Sequence, residues 1–215
     1  MTEVLQQKYG NRKVRIAVTM GDPCGIGPEV IAKALNDPAL HDLCDLIVVG
    51  DLEVMRAHFA RFSPKLKVIP LRKISEGVFS EGVLHVLDIA MAESQTGAAC
   101  FQPGTLSSDA AMAALKSIEI ASKLALRGEV DAIATAPINK EAMKGIGFAF
   151  PGHTEFFAAA AHTDDYGMMM AGSGMKIMLA SIHVPLSEAI SQLNVQDLLK
   201  IIRLTHGSLK RDFGR

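Results

Sequence analysis

Three short turns of this chain carry residues whose types and spacing could bind or move charge. The first is Gly21-Asp22-Pro23-Cys24-Gly25-Ile26-Gly27-Pro28-Glu29. Gly21, Gly25 and Gly27 let the backbone turn sharply or approach a ligand closely, and Pro28 suits the first position of a helix. Asp22 adds a carboxylate to what could be a cleft turn. The run has neither the G-x-G-x-x-G spacing of a dinucleotide fingerprint nor the Gly-Lys-Ser/Thr ending of a P-loop. A strand-to-helix turn with no ligand accounts for it equally well. The second turn is Thr135-Ala136-Pro137-Ile138-Asn139-Lys140. Asn139 is placed to cap a helix, which puts Lys140 in a first turn, where a cation is electrostatically disfavoured. An anionic ligand sharing the site explains that lysine, and so does a solvated surface position.

The third turn is Pro151-Gly152-His153-Thr154-Glu155, followed by the apolar run Phe156 to Ala161. A helix starting here directs unpaired N–H groups at whatever precedes it, and the His153 imidazole and Thr154 hydroxyl add donors. That set suits a phosphate or carboxylate. The alternative is a histidine and a capping threonine that satisfy each other. A further histidine, His183, closes the apolar run of Ala180-Ser181-Ile182-His183-Val184-Pro185-Leu186. At a strand end beside a proline it is placed for a metal ligand or general base, or for a hydrogen-bonded core role. His41, His58 and His85 read as structural or surface residues, and His162 and His206 fall in or near helical patterns with no identifiable partner.

The elements that must hold these turns alternate along the chain. Val14 to Met20, Leu46 to Val49, Leu66 to Ile69, Val83 to Val86, Val130 to Ala136 and Met175 to Ile182 read as strands. Helical patterns cover Pro28 to Leu35, Val54 to Phe62, Ser107 to Arg127 with Ser107 or Ser108 as N-cap, and Asn139 to Lys144. Others begin near Thr154, Ser187 and Val195. Asp88 to Thr105 has no clear period and reads as loop. Strands separated by helices predict an α/β fold with parallel pairing, and each chemical turn then lies beyond the carboxyl end of a strand, where such sheets place ligands.

Composition bounds the function classes. The 215 residues carry 22 Lys+Arg against 23 Asp+Glu, a net charge of −1, so no field points to nucleic acid or an anionic membrane as partner. The 49% hydrophobic content excludes a disordered chain. A chain this long buries about 70% of its unfolded surface and needs no disulfides or structural metal. Cys24, Cys44 and Cys100 form neither a disulfide framework nor a zinc knuckle. With a polar start and no apolar run of about 18 residues, the expected location is cytoplasmic, with no membrane contact.

In this order the four segments around Gly21, Lys140, His153 and His183 closely resemble the 4-hydroxythreonine-4-phosphate dehydrogenase family, from about Arg15 to Gly214. Cys24 stands where the family usually carries alanine. The resemblance implies a two-lobed α/β fold of the isocitrate/isopropylmalate dehydrogenase type. The first lobe would cover residues 12–135 and an incomplete second lobe, with the substrate phosphate site, residues 136–215. It also implies homodimers, NAD or NADP as cofactor, and a divalent metal such as Zn, Mg or Co. His153 and Thr154 fall on the pair that binds the phosphorylated substrate, and Lys140 is expected beside them. His183 falls on the first of three metal-binding histidines. The implied reaction is oxidation and decarboxylation of 4-phosphohydroxy-L-threonine in pyridoxal 5′-phosphate (vitamin B6) biosynthesis. D-erythronate or D-threonate 4-phosphate is the alternative substrate, and a non-catalytic phosphate-binding remnant the alternative class. Family chains are longer, so this one is expected to be a fragment or a shortened relative lacking the later histidines and most nicotinamide contacts, and inactive alone. Neither a catalytic base nor a cofactor-binding residue is identified.

Overall fold

The computed structural model describes residues 9–10, 12–80, 82–89, 101–172 and 174–214. Residues 90–100 of the expected loop, Cys100 among them, lie outside the described residues. The chain divides into two compact units, one over Arg12–His153 and the other taking in Thr154–Arg215.

The first unit is built on five strands, β1 (Val14–Thr19), β2 (Cys44–Gly50), β3 (Lys67–Leu71), β4 (Val83–Asp88) and β5 (Ala132–Thr135). They form one sheet in the order β3-β4-β2-β1-β5, parallel throughout. Ala17, Val18, Ile47, Val48 and Val49 are buried, which is why the central strands read as continuous apolar runs. The helices are α1 (Gly27–Ala34), α2 (Pro38–Leu43), α3 (Leu52–Phe62), α4 (Ser108–Leu126) and α5 (Lys140–Gly145). α1 and α3 pack on each other, and α4 lies over β1, β2 and β5. Small side chains make that close approach possible, since Ala110, Ala111, Ala114 and Ala121 are all buried on α4. Ser117 of α4 donates to the Val49 carbonyl and accepts from the Met20 N–H at 3.2 Å, pinning the helix to the carboxyl ends of β1 and β2.

The order of strands decides where a ligand can enter. From β1 the chain moves through α1 and α2 to β2 on one side, and from β4 it returns through α4 to β5 on the other. The connections diverge between β1 and β5, and the turns that follow these two strands emerge side by side at their carboxyl ends. At the opposite end these two strands are clamped. Arg12 holds Asp131 through two bonds of 2.6 and 2.7 Å, the Arg15 N–H donates to the same carboxylate at 2.8 Å, and the Asp131 N–H donates to the Arg15 carbonyl. The Arg12 guanidinium, aided by the Arg15 N–H, holds the Asp131 carboxyl below its ordinary range.

At the carboxyl ends the turn after β1 crosses the turn after β5. The Asp22 N–H donates to the Pro137 carbonyl at 3.0 Å, and the Ala136 N–H to the Thr19 carbonyl at 3.2 Å. Gly21 sits at φ +72°, and a Cβ there would fall on the Pro137 carbonyl oxygen. A Cβ on Gly27 would lie 2.5 Å from the Met20 carbonyl oxygen. Gly25 differs, because its Cβ would meet Asp22 at 3.4 Å, an ordinary contact, and the residue is exposed.

The second unit holds α6 (His153–Ala160, entered from the first), β6 (Met169–Ala171), β7 (Lys176–Met178), α7 (Leu186–Gln192) and α8 (Val195–Phe213). Here the sequence expectation is corrected. In place of one strand over Met175–Ile182 there are two short ones, paired antiparallel with Met169 opposite Met178. Only four residues separate β6 from β7, too few for the crossover that parallel pairing requires, and Gly172 and Gly174 permit a hairpin. Among the described residues no helix is long and apolar enough to cross a membrane.

Two measurements check this account. Asp131→Ala is expected to lower stability by about 1–3 kcal/mol, a fall of several degrees in Tm. Because the folded-state pKa is depressed, that contribution is complete above the ordinary value of about 3.9 and is lost as pH falls through the depressed one. A parent–variant gap that is unchanged in acid would contradict the clamp. Gly21→Ala is expected to cost about 1–3 kcal/mol or more from left-handed strain and the clash, and Gly25→Ala less than about 0.5 kcal/mol. Thermal unfolding of both variants reads the difference.

Candidate functional site

The turn after β1 is occupied by its own groups. Asp22 is buried and its Oδ1 accepts from the Cys24 N–H at 2.8 Å, so the carboxylate closes the turn on itself. The segment after residue 100 docks on it: the Gly104 N–H donates to the Cys24 carbonyl at 2.8 Å, and the Thr105 hydroxyl lies 3.7 Å from the Cys24 Sγ. Burial pushes the Cys24 thiol up, opposed by the Thr105 hydrogen bond and reinforced by the Asp22 charge. The buried Cys24 is thus held toward its thiol form. Sequence reasoning found Gly21, Asp22, Gly25 and Gly27 but not this docking, since Thr105 and Cys24 are 81 residues apart.

The turn after β5 presents a cation. Asn139 caps α5 by accepting from the N–H groups of Glu141 and Ala142 at 3.0 and 3.1 Å, as its residue type predicts. Lys140 follows, exposed in the first turn. The positive charge of Lys140 reaches His153, which is half-buried where α6 begins. Burial first, and Lys140 second, push the His153 imidazole below its ordinary value. An imidazole held below its ordinary value and an ammonium that acts on it thus share this region of the first unit. Thr154 is the next residue of α6, and Glu155 adds an acidic group in the same first turn.

His183 is placed differently from the sequence expectation. The strand ends at Met178, extended only by the Leu179 N–H donating to the Met168 carbonyl at 2.9 Å, so His183 lies in irregular chain rather than at a strand end. The pairing stops because its partner strand is three residues long. His183 is exposed and its backbone is left-handed at φ +60°. His162 is also left-handed, at φ +51°, but it ends α6 and its N–H donates back to Ala159, an ordinary helix stop. No helix precedes His183 to explain its conformation. Among the described residues no three His, Cys, Asp or Glu side chains come together to hold a metal ion.

Comparison with known proteins identifies the family. A family model described as pyridoxal phosphate biosynthetic protein PdxA matches residues 42–215. D-threonate 4-phosphate dehydrogenase of Salmonella typhimurium is 35% identical over 197 residues, covering 91% of this chain and 59% of that protein. 4-Hydroxythreonine-4-phosphate dehydrogenase of Trichlorobacter lovleyi is 38% identical over 194 residues, covering 90% and 56%. The crystal structure of 4-hydroxythreonine-4-phosphate dehydrogenase from Klebsiella pneumoniae superimposes with a TM-score of 0.82 at 35% identity, covering 93% of this chain and 60% of that one. The chain thus spans about three fifths of the length of the relatives it matches.

The proximity of Lys140 and His153 has a direct test. Removing the ammonium favours the protonated imidazole, so Lys140→Ala is expected to move the His153 titration upward, followed by NMR of the ring protons. An unmoved titration would show that the lysine charge does not reach the ring.

Proposed function

The chain belongs to the PdxA family of pyridoxal phosphate biosynthetic proteins, and from that membership we propose that it serves the oxidation of a small 4-phosphorylated hydroxy acid by NAD or NADP. The first substrate is 4-phosphohydroxy-L-threonine. The observation that supports the reading is Lys140 acting on the half-buried His153 at the start of α6, an imidazole that burial first and the lysine second hold below its ordinary value, on the turn where the resemblance implies the substrate phosphate. The first-turn N–H groups, the Thr154 hydroxyl and the two basic side chains supply the donors for that phosphate. Anchoring the phosphate fixes the distance to the secondary hydroxyl and so orients the carbon that is oxidised. That carbon loses a hydride and its hydroxyl loses a proton, and the resulting β-keto acid releases carbon dioxide. Nicotinamide, when bound, is the hydride acceptor.

His183 is proposed as one metal ligand, a role its left-handed backbone supports because such strain costs about 1–3 kcal/mol and concentrates at functional sites. The described residues do not complete a metal site, and no step is derived through one. A homodimer is proposed with it, supported by the exposed Leu186 and Ile190 of α7 and Val195 and Ile202 of α8. The Salmonella typhimurium relative favours a second substrate, D-threonate 4-phosphate, which shares the terminal phosphate and differs at carbon 2.

Calorimetry with each 4-phosphate is expected to show binding, weakened about tenfold or more by Thr154→Ala, the loss of a hydrogen bond to a charged group. Adding NAD or NADP with a divalent metal and following nicotinamide absorbance identifies the substrate oxidised. Binding of neither 4-phosphate, or equal affinity of parent and Thr154→Ala, would overturn the assignment.

A further inference from the structure

Thr154 and Glu155 occupy the second and third positions of α6 and belong to the same compact unit. A carboxylate at the third position commonly stabilises a helix, by facing the positive end of the dipole or by reaching back to the N–H that opens the turn. Helix stabilisation does not account for Glu155. Its Oε2 is shielded from solvent and accepts no hydrogen bond, and among the described residues its carboxylate forms no ion pair. A carboxylate oxygen taken out of water with no donor costs more than the dipole returns. Among the described residues no other acidic side chain has such an oxygen.

The Cα–Cβ bonds of a helix tilt toward its N-terminus, so a side chain at the third position leans over the same opening turn whose N–H groups face a bound anion. If that turn receives the substrate phosphate, the reading on which this step rests, a bare carboxylate beside it repels the ligand unless the ligand brings a donor of its own. Both proposed substrates do. From phosphate to carbon 2 the acid spans about 5 Å, one helical turn. Carbon 2 carries an ammonium in 4-phosphohydroxy-L-threonine and a hydroxyl in D-threonate 4-phosphate. The hydroxyl that is oxidised gives up its proton, which leaves the carbon-2 group as the donor that persists through the reaction. We infer that Glu155 accepts a hydrogen bond from the donor on carbon 2 of the substrate, and so selects 4-phosphorylated acids that carry one there. An acid with only hydrogen on carbon 2 leaves the shielded oxygen unpaired, a difference that a site built around a hydrogen bond rejects strongly.

Calorimetry compares three ligands on the parent and on Glu155→Gln: the two proposed substrates and 3-hydroxy-4-phosphobutanoate, which has only hydrogen on carbon 2. The parent is expected to bind each substrate about tenfold or more tightly than the analogue. The amide keeps the size and one acceptor oxygen but loses the charge. Glu155→Gln is therefore expected to weaken the ammonium-bearing acid by about tenfold and the hydroxyl-bearing one less, and not to weaken the analogue. Equal affinity of the parent for all three ligands, or an equal loss for all three in Glu155→Gln, overturns the inference and leaves the phosphate reading in place. A fall in Tm of the variant with its affinities unchanged also overturns it, because that assigns Glu155 to the fold. Binding of none of the three overturns the phosphate reading and this inference with it.

Discussion

The crossing of two backbone turns at the carboxyl ends of β1 and β5 is the contact on which the rest of the first unit depends. Parallel strands bring their following turns out on the same side, and here those turns touch through the Asp22 N–H and the Pro137 carbonyl. The approach leaves no room for a side chain at Gly21, and at Gly27 the Met20 carbonyl of the same turn leaves none. Asn139, Lys140 and everything they position follow directly from the Pro137 turn. The clamp of Arg12 and Arg15 on Asp131 acts at the other end of the same two strands, and it matters because β5 is the edge strand and only four residues long. A short edge strand has few ladder bonds, so charged contacts at its base hold what the ladder cannot.

Glycines in one motif therefore do unlike things. Gly21 and Gly27 are required by packing whether or not a ligand ever arrives. Gly25 is exposed with space for a Cβ, so the fold gives no reason for it. The spacing of three glycines in seven residues does not separate these roles, because for Gly21 the separation depends on Pro137 and Ala136, more than a hundred residues away, and for Gly27 on how the turn folds back over the Met20 carbonyl.

What was legible in the sequence was local. The apolar runs of β1 and β2, the Ser107 cap of α4 and the Asn139 cap of α5 appear where residue type and period place them. Helix α2 escaped notice although Asp37 caps it and Pro38 opens it, since six residues carry less than two turns of period. The β6–β7 hairpin escaped because three-residue strands rich in methionine have no alternation to read. In the site, the turns that carry Lys140 and His153, at the start of α5 and of α6, were legible in the sequence. The effect of one on the other was not, because it depends on burial of the imidazole and on the path of α5. The Arg12–Asp131 pair, 119 residues apart, left no pattern at all.

Helix α5 shows how a local conflict can persist. Two lysines at helical spacing, one of them in the first turn, disfavour a helix of six residues. Three features offset this: the double acceptance by Asn139, the buried Ala142 and Met143, and the packing of α5 on α4. With the helix held from its buried side, the identity of its exposed residues is free of any folding requirement. A sequence under selection for stability alone has no use for repelling cations there. Lys140 and Lys144 both border a pocket, and Lys140 also holds the His153 imidazole below its ordinary value, so an anionic ligand, rather than the fold, gives these lysines a use.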